Sequence, residues 1–206
     1  NKGVLPGLEG TILQRGGEEL VLKKVSDRLT ICLSSNDALP PLIERWQPQQ
    51  VLDITPHQVT QAQDTIVEWQ LPPSQLEDAL SALRGDSVVV YASHVYKLEA
   101  SPGTYVYLAN QLTIQFIDAL AIAQIESIAQ SLGLIRTQAL GDDSNTYCFK
   151  VGPTARQNPL KIANQLARHP QVLLAEPNII MAIAPLYRPT DTRYPEQWHL
   201  YHRGGR

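Results

Sequence analysis

Cysteine and methionine are nearly absent from this sequence: there are two cysteines, Cys32 and Cys148, and one methionine, Met181. Two thiols far apart along the chain are too few for a disulfide framework or a thiolate zinc site. Charge is sparse too. Asp, Glu, Lys and Arg make up 18% of the 206 residues, with a formal net charge of −3, against ~25% in average domains. Phosphate neutralisation needs clustered Lys and Arg, so a slightly acidic chain without a basic stripe is a poor nucleic-acid binder, and no nucleic-acid partner is expected. Aromatics at 6% are too few for a sheet that stacks RNA bases. No apolar run approaches the ~20 residues of a bilayer-spanning helix, so no membrane partner is expected. Apolar residues, at 43%, are close to the globular norm, enough to core one or two domains and to exclude wholesale disorder. It begins at Asn1 and shows no signal peptide, which fits a processed or trimmed piece.

Catalytic patterns are missing as well. His57, His94, His169, His199 and His202 never meet Asp, Glu or Cys at metal-ligand spacing, so no metal site is expected. No glycine-rich loop follows a strand and opens a helix, and no serine sits in nucleophile-elbow spacing. Cys32 and Cys148 lie in apolar runs, where a thiol is buried and inert. The chain by itself is therefore expected not to be an enzyme, and to have neither cofactor nor small-molecule substrate.

What is present is an internal repeat. Leu29-Thr30-Ile31-Cys32-Leu33 aligns with Leu112-Thr113-Ile114-Gln115-Phe116, Thr65-Ile66-Val67 with Thr146-Tyr147-Cys148, and Pro72 with Pro153. The segment 83–90 then falls on 167–174. Four blocks in order at an offset of about 80 residues, far beyond a solenoid period, read as a domain duplication. The units are placed at 18–100 and 103–184, after an N-terminal arm at 1–17 and before a tail at 185–206.

In the second unit, runs at 105–108 and 112–116 flank Ala109-Asn110-Gln111 and predict a hairpin. Asp118 offers an N-cap to a helix carrying Ile122, Ile125, Ile128, Ala129 and Leu132, and Gly133 ends it in left-handed angles. Strands at 134–140 and 146–151 flank turn chemistry at 141–145. Asn158-Pro159 caps a second helix with Leu160, Ile162, Ala163, Leu166 and Ala167 on one face, and 172–174 and 179–183 close the unit. The first unit repeats this order. It has a hairpin at 20–25 and 29–33, a short helix at 40–46, and strands at 51–55 and 65–71 around a polar stretch at 56–64. Ser74-Gln75-Leu76-Glu77 then predicts a capping box, Leu76, Leu80 and Leu83 a buried face before Gly85, and 88–91 and 95–98 the last strands. A β-α-β-β-α-β order predicts an α+β fold of two tandem ferredoxin-like sandwiches, each an antiparallel sheet with helices on one face. The proline-rich stretch 185–195 reads as an extended linker.

Two motifs near the C-terminus resemble a known family. Val172-Leu173-Leu174-Ala175-Glu176-Pro177-Asn178 resembles the closing strand of prodomains in subtilisin-like serine proteases. Tyr194-Pro195-Glu196-Gln197-Trp198-His199-Leu200 resembles the start of the mature enzyme in that family, and the two stand in the family's order. The resemblance covers about residues 103–206. The first unit departs from it, with Ala92-Ser93-His94 where Glu-Pro-Asn is expected. The family's Asp, His and Ser motifs do not occur in the chain.

The resemblance implies a prosegment that assists folding of a subtilisin-like catalytic domain following residue 206, inhibits it, and is removed near residues 182–194. It implies Met181, Ala182, Ile183 and Ala184 as a strand laid in the protease cleft. Asp142, Asp143, Glu176, Pro177 and Asn178 become docking residues, and Tyr194, Pro195, Gln197, Trp198, His199 and Leu200 the mature N-terminal motif. A carboxylate of Asp142 or Asp143 would cap a protease helix N-terminus; read from residue type alone, the pair forms a turn, and Pro177 kinks an edge strand. The partner implied is the cognate catalytic domain, with calcium possible only there, and the precursor is expected to be exported. The first unit is expected to be a spacer or an added docking surface. The alternative expectation is a tandem ferredoxin-like regulatory module that binds a small ligand between its units.

Overall fold

Each unit packs apolar side chains from one face of its sheet against two helices, and that burial decides the architecture. The computed structural model describes residues 12–15, 18–55, 64–118, 120–141, 145–155 and 157–182. The strands are β1 (Ile12–Arg15), β2 (Glu18–Leu33), β3 (Gln50–Asp53), β4 (Thr65–Gln70), β5 (Val89–Leu98), β6 (Ser101–Phe116), β7 (Leu134–Ala139), β8 (Thr146–Val151) and β9 (Val172–Ala182). The helices are α1 (Leu39–Trp46), α2 (Pro73–Arg84), α3 (Ile122–Ser131) and α4 (Pro159–Leu166). The first unit runs β2-α1-β3-β4-α2-β5 with sheet order β3-β4-β2-β5, and the second runs β6-α3-β7-β8-α4-β9 with order β7-β8-β6-β9. Every pairing is antiparallel. Each unit is thus a ferredoxin-like β-α-β-β-α-β sandwich, and the two share one sheet through β5 and β6.

The two expected hairpins are not there. Residues 20–33 form one strand, and so do 105–116. The polar breaks read as turns are bulges: the β2–β5 register slips between Lys24 and Leu29, and the β6–β9 register slips between Leu108 and Leu112. A bulge keeps the strand running while bending it. The outer halves of β2, β5, β6 and β9 then pair across the junction, Lys97 opposite Tyr105 and Tyr105 opposite Ala182. Val89–Leu98 likewise form one strand rather than the two expected at 88–91 and 95–98. Ala92, Ser93 and His94 pair with Ile31, Thr30 and Leu29 of β2, which keeps the strand continuous where the local chemistry reads as a turn.

Helix starts also differ in two places. Pro73, with φ fixed by its ring, opens α2 at its first position, and Pro72 precedes it without a side-chain cap, so Ser74 is already inside the helix and no capping box forms. α3 begins at Ile122 rather than beside Asp118. The Asn145 amide holds the intervening segment by donating to the carbonyls of Ile117, Asp118 and Leu120. Asn158 caps α4 as expected, its Oδ1 accepting from the Lys161 N–H at 2.9 Å. Gly133 ends the α3 segment with φ +69°.

Candidate docking face and the cleft between the units

Each sheet has a helix-covered face and an opposite face, and the two copies treat the opposite face differently. In the first unit it carries Thr30, Cys32, Ile66, Glu68, Tyr91 and Ser93, brought into line by the β2–β4 and β2–β5 registers. None is more than 4% exposed. The second unit covers them. The Tyr91 hydroxyl donates to the Leu108 carbonyl at 2.6 Å, and the Asn158 amide donates to Ser93 Oγ at 3.1 Å. Asp64 receives Lys150 Nζ at 2.7 Å and the Asn110 amide. Glu68 pairs with Arg28, whose guanidinium stacks 5.1 Å from the centre of the Tyr105 ring. The Thr30 hydroxyl and the second Glu68 oxygen stay buried and unpaired.

This seam encloses Cys32. Burial pushes the Cys32 thiol well up, and nearby Asp64 pushes it further. Burial also raises Cys148. Neither is a nucleophile at neutral pH. Burial and then Glu68 raise the Tyr107 hydroxyl above its ordinary range.

In the second unit the equivalent face stays accessible. Gln111, Thr113 and Gln115 on β6 lie opposite Lys150, Cys148 and Thr146 on β8, and Thr113 and Gln115 lie opposite Glu176 and Leu174 on β9. Most are half-buried, and Ile135 on β7, opposite Lys150, is exposed. The expected docking residues Glu176 and Asn178 belong to this face. The Asn178 amide donates to Gln111 Oε1 at 3.1 Å and its Oδ1 accepts from the Thr113 hydroxyl at 3.3 Å. Pro177 is buried opposite Leu112. Met181 is 47% exposed near the end of β9 and Ala182 ends it. Asp142, Asp143, Ile183, Ala184, Tyr194, Pro195, Gln197, Trp198, His199 and Leu200 lie outside the described residues.

A feature that the sequence reading missed is a cleft of about 480 Å³ between the units. Its walls are the turn after α2 with the start of β5, and the turn after β8 with the start of α4. Among the described residues, no group of three or more His, Cys, Asp or Glu side chains could hold a metal ion. No helix there is long and apolar enough to cross a membrane.

On the helix side, His94 is a titratable group shifted by its surroundings. It lies 5% exposed on β5, with Nε2 3.0 Å from Glu77 on α2. Burial first, then Lys24 and Arg84, lower its pKa against the opposing pull of Glu77 and a backbone bond to Val25. A histidine whose folded-state pKa is depressed binds its proton more readily when unfolded, so its contribution is complete above about pH 6.5 and is lost as pH falls below it. Thermal melts at about pH 7.5 and about pH 5.5 should show a larger loss for the native chain than for His94→Gln. An equal loss would show that carboxylates alone set the slope.

No family model matches the chain, and no curated protein matches it. Among solved structures it is similar to the acetolactate synthase small subunit from Thermotoga maritima, with 10% sequence identity and a TM-score of 0.30 over 76% of this chain and 95% of that one.

Proposed function

We propose that this chain is the prosegment of a subtilisin-like serine endopeptidase precursor, which assists folding of the catalytic domain, holds it inhibited and is removed by cleavage within residues 182–194. The observation that carries the reading is the accessible face of the second unit, the copy that bears Glu176-Pro177-Asn178. It is nearly neutral, with side chains already partly held in place, so docking costs little desolvation and little side-chain entropy. Among the described residues β9 pairs with β6 alone, and the chain continues past Met181 to the motif at 194–200. In this role the chain after β9 adds a strand to the catalytic cleft, with Met181, Ala182, Ile183 and Ala184 filling alternate pockets. Asp142 and Asp143, in the connection between β7 and β8, cap a helix of the catalytic domain. The first unit braces the second, because its own open face is spent on the seam. Export of the precursor follows from the same reading.

The test is inhibition of the precursor's own catalytic domain by the whole chain and by a version ending at Ala184. Inhibition constants of about 10 nM or lower are expected for both. No inhibition by either form would overturn the prosegment. The alternative reading, a regulatory module with a ligand between its units, is favoured by the cleft between them.

A further inference from the structure

We propose that the cleft between the units is a binding site for a small organic anion, a carboxylate or phosphate monoester carrying an apolar body. This rests on the reading of the cleft as a ligand site and is independent of the prosegment. The volume, about 480 Å³, is that of a small-molecule pocket. Among the described residues each unit places one cation in its wall, Arg84 at the end of α2 and Lys161 in the first turn of α4. Arg84 Nε donates to the Ala92 carbonyl at 3.2 Å, which fixes the guanidinium plane and leaves its outer nitrogens for a ligand. Neither cation enters an ion pair among the described residues. The acid among the described lining residues, Asp86, is turned to the backbone, accepting from the Val88 N–H at 3.2 Å.

Hydroxyls complete the polar lining from both sides, Ser87 from the first unit and Thr154 from the second. The positive end of the α4 dipole adds to the field between the two cations. Val89 and Ala155 give the walls their apolar part. A bidentate guanidinium on one wall and an ammonium on the other suit a planar carboxylate or a phosphate better than any neutral headgroup.

Calorimetric titration of the full chain with phenyl phosphate, benzoate and neutral benzyl alcohol tests this. At least one anion should bind with Kd below ~1 mM while benzyl alcohol does not, and the tighter anion identifies the headgroup. Arg84→Gln and Lys161→Gln should each weaken binding about tenfold or more. Arg45→Gln, whose guanidinium stacks on Trp46 outside the cleft, should leave it unchanged. Lys161 is exposed, so its variant carries the test even if Arg84→Gln fails to fold. Binding of benzyl alcohol alone would overturn the anion assignment and leave a ligand cleft. Silence with all three probes would overturn both, and an equal loss in Arg45→Gln would reduce the effect to general charge.

Discussion

Replacing Gly133 with alanine should cost about 3 kcal/mol or more of stability, enough to lower Tm by roughly 10 °C in a chain of this size. Two penalties add at this position. Its φ of +69° is left-handed, which a side chain disfavours by about 1–2 kcal/mol. A Cβ there would also stand 2.5 Å from the Ala155 backbone nitrogen and 2.7 Å from the Ala155 Cα. Those are main-chain atoms, which cannot swing aside as a flexible side chain would. The close approach is mutual, since the Gly152 N–H donates to the Gly133 carbonyl at 2.8 Å. This corner seats β7, the edge of the accessible face, and the turn at 153–155, one wall of the cleft. Thermal unfolding followed by circular dichroism checks the size of the effect. A loss below 1 kcal/mol would mean that the turn relaxes freely and does not hold the cleft wall in place.

The second large effect concerns docking. In the proposed prosegment role, Gln115→Arg together with Thr113→Arg should weaken inhibition of the catalytic domain by about a hundredfold or more, roughly 2.7 kcal/mol. Both side chains are half-buried on the accessible face, where a cation would reach water in the free chain but be stripped of it under a partner. Thr113 gives up its hydrogen bond to Asn178, so stability should fall by about 1 kcal/mol with the fold retained. The aligned positions in the first copy make the control. Thr30 and Cys32 are fully buried, so Thr30→Arg should unfold the chain rather than spare it. Unchanged inhibition by the Thr113, Gln115 variant, with its fold intact, would remove this face from the interface.

Much of the architecture was legible because repeat, periodicity and caps agree. The aligned blocks at 29–33 and 112–116 are the central strands of the two units, and Asn158-Pro159, Gly133 and the Leu76, Leu80, Leu83 face lie where the local chemistry places them. The hairpins failed because turn residues and bulge residues are the same types. Only the strands beside 25–28 and 109–111 decide between them, and those come from elsewhere in the chain. Ser74 failed for a different reason: a preceding proline fixes the helix start more firmly than a hydroxyl does. The unequal faces did leave a trace. Cys32 in one copy stands where Gln115 stands in the other, an apolar atom set against a wet one. The cleft left none, because Arg84 and Lys161 meet only once the units are assembled.

Covering the first unit's open face settles a question of valency. A tandem duplication would ordinarily offer two equivalent faces and bind two partners, or one partner twice with a gain in avidity. Here one copy has turned its face inward. Among the described residues the chain has two ferredoxin-like units but one accessible face, so a partner that docks on such a face should saturate at one equivalent per chain.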